Sequence, residues 1–89
     1  MTRFADARAK NVYRTGVGAG VPARIARRAH WVLHLLLAAH GLQDVGVIGR
    51  IERWASRPGR YGINIDGKWF VTFAWDPPFG ANAVRLERL

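Results

Sequence analysis

The segment that most limits the fold runs from Arg60 to Trp75, where apolar side chains alternate with polar or small ones on both sides of Asp66-Gly67. Tyr61, Ile63 and Ile65 alternate with Arg60, Gly62 and Asn64, and Trp69, Val71, Phe73 and Trp75 alternate with Phe70, Thr72 and Ala74. A period of two places every second side chain on one face of a strand, and Asp-Gly is a turn dipeptide, so the segment predicts a β-hairpin. A two-residue Asp66-Gly67 loop would set Ile65 against Lys68 and Tyr61 against Thr72, splitting the apolar residues between faces. A three-residue loop, Ile65-Asp66-Gly67, with Gly67 left-handed in a bulge, pairs Ile63 with Trp69 and Tyr61 with Val71, and this register is preferred. It leaves Arg60, Asn64, Lys68, Phe70 and Thr72 on the second face, a mixture of cations, amide and ring that grips phosphates and stacks on bases.

Two helices are predicted ahead of the hairpin. Ala5, Ala9, Val12 and Tyr13 share a face from Asp6 to Arg14, with Asp6 as the cap and Gly16 as the stop. Pro22 and Gly41 bracket a second helix whose stripe is Ile25, Ala29, Val32, Leu33 and Leu36. Its opposite side carries Arg24, Arg27 and Arg28 with Trp31 and Leu35, and large apolar groups on a polar face fit either a surface that meets another protein or a helix packed on both sides. The glycines from Gly16 to Gly20 follow a helix and do not match a phosphate-binding GxGxxG, so they read as a connector.

Gln43 to Val47 reads as a loop and Ile48 to Trp54 as a strand. Asp76 to Gly80, with two prolines, reads as a turn, and a last strand from Ala83 to Leu86 or beyond puts Val84 and Leu86 inward and Arg85 and Glu87 outward. With a short leading strand at Phe4, the pattern is α+β: two N-terminal helices packed on a small antiparallel sheet, one domain over residues 1–89.

A chain of 89 residues has room for one thin core. The absence of cysteine excludes disulfides, thiolate metal sites and a cysteine nucleophile. No stretch has the ~18 apolar residues of a membrane span, nor does the N-terminus carry a signal peptide's apolar region, so a cytoplasmic location and no membrane partner are expected. Fourteen Lys and Arg against six acids give +8, which makes nucleic acid the leading partner by charge. His30 and His34 have the i, i+4 spacing of zinc ligands, but no third ligand is evident, so neither metal nor cofactor is expected.

The residues also resemble a known family. Pro22 through Gly41 with the following Gln43-Asp44-Val45, then Arg50-Ile51-Glu52-Arg53-Trp54, then Arg57 to Trp75 with Gly59-Arg60-Tyr61, Gly67-Lys68-Trp69 and Thr72-Phe73, are similar to the second helix, following strand and signature hairpin of HigB-type toxins. These belong to the RelE superfamily. The resemblance implies a RelE-like fold, cleavage of mRNA in the ribosomal A site, and neutralisation by a HigA-like helix-turn-helix antitoxin. Strand scission by the RNA's own 2′-OH needs that hydroxyl activated, the leaving oxygen protonated and the pentavalent phosphorus neutralised. Arg57, matching the Arg of the family's Lys-Gly-Asp-Arg stretch, and Lys68 are the expected catalytic cations, with Glu52 and Glu87 as proton acceptors. Arg53, Arg60, Asn64, Phe70 and Arg85 are expected to bind RNA, and Arg24, Arg28, Trp31 and Leu35 to bind antitoxin.

The chain departs from the family at two places. Phe70 stands where relatives usually have Arg, and Arg88 and Leu89 replace the Asp and Tyr of a frequent Asp-Tyr-His end. A second reading follows, a RelE or ParE-fold binding module that acts by docking to antitoxin or to a target such as gyrase. A general RNA-binding protein unrelated to toxins is the third.

Overall fold

In a computed structural model, residues 3–54, 59–76 and 80–89 are described. Asp6 opens helix α1 (Ala7–Thr15): its Oδ1 accepts from the Ala9 amide at 2.5 Å, and Gly16, left-handed at φ 79°, closes it. Helix α2 (Ala23–Ala38) begins after Pro22, whose fixed φ suits a helix start, and buries Ile25, Ala26, Ala29, Val32, Leu33 and Leu36.

The expected loop at Gln43 to Val47 is instead a third helix, α3 (Leu42–Ile48). Among the described residues three helices, not two, therefore precede the main strands. Leu42, Val45 and Ile48 recur every third residue and turn one short face inward, with Val45 fully buried. Gly46, in the expected loop, lies inside this helix; Gly41, expected to end the second helix, is instead the N-cap of α3, and Gly49, expected in a strand, is its C-cap.

The four strands, β1 (Ile51–Arg53), β2 (Arg60–Asp66), β3 (Trp69–Asp76) and β4 (Gly80–Arg88), form an antiparallel meander in that order. Ile48 to Trp54 is thus a strand only in its middle, since Ile48 ends α3. Phe4 makes a single parallel bridge to Val84, where Ala5 N donates to Val84 O at 2.8 Å and Val84 N to Arg3 O at 2.9 Å. Pro77, Pro78 and Phe79, in the expected turn, lie outside the described residues.

The hairpin register differs from the expected one by two residues. Tyr61 pairs with Phe73 and Ile63 with Val71, whereas Asp66 faces Trp69, so the turn is Gly67-Lys68 and Ile65 is the extra residue of a bulge. A shift of two preserves the face of every side chain, which is why the apolar and polar faces were separated correctly from the wrong register. The inner face (Ile63, Ile65, Trp69, Val71, Phe73, Ala81, Val84 and Leu86) joins the buried stripe of α2, Ala9 and Val12 of α1, and Val45 in one core.

Candidate functional site

The face of the sheet turned away from this core gathers polar, charged and aromatic side chains. Register puts Glu52, Gly62, Thr72 and Arg85 in one row across the four strands, with Asn64, Phe70 and Glu87 in the next and Arg60, Ala74 and Asn82 in a third. Opposed residues share a face, so β2, β3 and β4 converge their outward side chains here.

The centre of this face is polar and buried. Arg60 is only 8% exposed, and its Nη2 donates to the Thr72 hydroxyl at 3.0 Å and to the Ala83 carbonyl oxygen at 2.9 Å. Thr72, fully buried, donates its hydroxyl proton to Glu87 Oε2. Arginine has only donors and a carboxylate only acceptors, so the hydroxyl's single proton must point to Glu87 and the chain runs one way, Arg60 to Thr72 to Glu87. Charge at each end makes both bonds stronger than neutral ones. Arg85, opposite Thr72 on β4, has its Nε buried with no hydrogen-bond partner among the described residues.

A β4 bulge shapes this cluster. Pairing slips between Thr72 and Ala74, leaving Ala83 as the extra residue at φ 50°, the one described non-glycine residue with positive φ. Its carbonyl is the one Arg60 reaches.

Aromatic side chains lie beside the polar chain. Trp54 follows β1, where its amide donates to Arg60 O at 2.8 Å, and its ring covers Gly62 so closely that a Cβ there would lie 2.8 Å from Cε3 and Cζ3. Phe70 flanks it, with ring centroids 5.2 Å apart and planes tilted by 60°.

The expected RNA and catalytic residues divide as follows. Arg60, Asn64, Phe70, Arg85, Glu52 and Glu87 lie on the outer face, Glu52 exposed on edge strand β1. The Asn64 amide nitrogen donates to Gly67 O at 3.0 Å and Trp69 O at 3.3 Å, bracing the turn. Lys68 stands in the turn itself, exposed, rather than in the ladder, and Arg53 opposes Tyr61 and so projects from the other side of the sheet. Arg57 lies outside the described residues. Thr72 as a link and Trp54 as a ring on this face are functional residues that the alternation alone does not mark. The available signal was Gly62, since a glycine within a strand marks close approach of another group.

A second surface lies on α2 and α3. Arg24, Arg27, Arg28, Trp31 and Asp66 line one shallow groove, and Trp31, Leu35, Ala38, Val47 and Ile48 line its apolar continuation. Trp31 is 54% and Val47 88% exposed, a large apolar outlay for solvent. Arg24 also forms an exposed ion pair with Asp66 at 3.2 Å, of little energetic weight in water.

His30 and His34 face α1 rather than each other's potential ligand. His30 Nδ1 lies 2.8 Å from Val12 O, and His34 Nε2 lies 3.0 Å from Tyr13 O with its ring stacked on Tyr13 at 4.3 Å. A carbonyl only accepts, so each of these nitrogens carries the proton and clamps α2 to the end of α1. Among the described residues no three His, Asp or Glu side chains gather as metal ligands do, and no helix is long and apolar enough to cross a membrane. No protein-family model and no curated protein matches the chain.

Proposed function

We propose that the outer sheet face works on RNA and that the protein is the toxin of a type II toxin-antitoxin system, a RelE-like, HigB-type endoribonuclease that cuts mRNA on the ribosome. The observation that carries this reading is the Arg60, Thr72, Glu87 chain with Arg85 beside it, which puts cations and a held carboxylate on one face of a strongly basic chain.

In that reading Glu87 accepts the proton of the ribose 2′-OH, whose oxygen attacks the adjacent phosphorus. The P–O bond to the next nucleotide's 5′ oxygen then breaks, leaving a cyclic phosphate and a 5′-hydroxyl that takes its proton from solvent or a nearby acid. Arg85 and Arg60 offset the charge that builds on the phosphorus oxygens, an effect that is large because these groups are fixed before the reaction. Thr72 orients the carboxylate. A HigA-like helix-turn-helix antitoxin is the expected restraint, with Arg24, Arg28, Trp31 and Leu35 as its contact on α2.

The exposed α2 and α3 groove also favours a second reading, in which this protein acts by docking alone. Primer extension on mRNA in a translation extract separates the two. New 5′ ends appearing only when ribosomes and the protein are both present support the nuclease. Intact mRNA with translation still inhibited supports the docking module.

A further inference from the structure

The aromatic pair on the outer face is not needed for the chemistry just described, and its construction is specific. Gly62 sits mid-strand, where a glycine weakens a sheet by losing side-chain packing and adding chain entropy. What the missing side chain allows is a flat approach: the Trp54 six-membered ring covers the Gly62 backbone, and any Cβ would collide with it at 2.8 Å. Phe70 tilts against the same indole from β3, and both rings keep part of their surface exposed. The Thr72 methyl lies 3.7 Å from the same Cβ position, so the rings directly adjoin the residue that links Arg60 to Glu87. Phe70 is opposite Glu87, one strand spacing of about 4.8 Å away.

We infer that Trp54 and Phe70 form a stacking subsite for one unpaired nucleobase of single-stranded RNA, the nucleobase of the residue whose ribose and phosphate lie at Arg85 and Glu87. The inference rests on the RNA reading above. Stacking on aromatic rings accepts any base, because every base presents a π face, but it requires a base that is free of its helical neighbours. The subsite therefore selects single strands without reading a sequence.

The test is fluorescence anisotropy with three labelled probes of equal length and charge per strand: a single-stranded oligouridylate, the same strand in a duplex, and an abasic ribose-phosphate strand. The expected result is that the oligouridylate binds roughly fivefold to hundredfold more tightly than the abasic strand, the range for one stacked base, and more tightly than the duplex. Phe70→Leu and Trp54→Leu, each with an unchanged near-ultraviolet circular dichroism melting profile, are expected to abolish that preference, whereas Phe70→Tyr retains it. Arg85→Gln is expected to weaken the oligouridylate and the abasic strand by the same factor. Equal binding of the oligouridylate and the abasic strand overturns the subsite while leaving an RNA-binding face in place. No binding of any probe overturns the RNA reading and the subsite with it. Should Trp54→Leu fail to fold, the Phe70 pair still decides, since a preference unchanged in Phe70→Leu overturns the subsite.

Discussion

Arg60 reaches across the sheet to the carbonyl of Ala83, the residue that takes a positive φ in the β4 bulge. The left-handed conformation costs an alanine energy that a glycine does not incur, and the bond to a buried guanidinium holds the carbonyl in place. Replacing Ala83 with glycine is expected to remove the strain but loosen the unfolded chain, leaving stability changed by no more than about 1 kcal/mol. Ala83→Val, with a branched side chain at that φ, is expected to destabilise by at least as much as the 1 to 3 kcal/mol typical of backbone strain, read from urea midpoints.

Arg60→Ala removes a donor from two acceptors at once, the buried Thr72 hydroxyl and the part-buried Ala83 carbonyl. Each group left unpaired costs on the order of 1 to 3 kcal/mol, so the substitution is expected to lower the urea midpoint substantially. Arg60→Lys is expected to recover only part of the loss, because an ammonium is a more strongly hydrated point charge than a guanidinium and costs more to bury. Equal midpoints for wild type and Arg60→Ala would show that the buried guanidinium holds nothing.

Thr72→Val keeps the shape of the side chain and deletes the hydroxyl between Arg60 and Glu87. On the proposed mechanism cleavage falls by about tenfold to a thousandfold with little change in RNA affinity, since orientation of the carboxylate is lost and phosphate contacts are kept. Thr72→Ser, which retains the hydroxyl, is expected to keep most of the activity. The measurement is the cleavage rate in a ribosome-containing extract beside an anisotropy titration.

Trp31→Glu changes a side chain that contributes to no core, so stability is expected to stay within about 0.5 kcal/mol of wild type. Placed in an interface, the same carboxylate would be buried without a partner, and co-purification with an antitoxin is expected to fail. A complex of unchanged affinity would remove α2 as the docking face.

The hairpin, the α1 and α2 helices and the separation of a polar from an apolar sheet face were all legible in the sequence, because side-chain periods of two and 3.6 are written directly into residue order. Three features were not. Helix α3 is seven residues long with a glycine inside it, too short for a periodic signal and without a side-chain cap to mark its start. The turn at Gly67-Lys68 depends on where the bulge falls, and a bulge at Ile65 leaves the same alternation as none beyond it. That is why Lys68 was expected on the ladder and stands in the turn. The Arg60, Thr72, Glu87 chain joins residues that are far apart in sequence, and only the sheet's register brings them together. Arg53 shows the converse, a residue grouped with the RNA contacts by charge that strand parity sends to the other side.

The tie between the α1 cap and β4 sets the order in which the outer-face cluster can form. Asp6 caps α1 with one carboxylate oxygen and accepts from the Leu86 amide with the other, and Phe4 bridges to Val84. A chain emerging from the ribosome carries Arg60 and Thr72 well before it carries Arg85 and Glu87, and β4 has its inner-face partners waiting on α1 and β3. The outer-face cluster therefore cannot form before β4 has been synthesised, and a fragment truncated ahead of β4 has no carboxylate beside Thr72. On the proposed function, such a fragment lacks the group that accepts the 2′-OH proton, so cleavage waits for β4 to take its place beside β3.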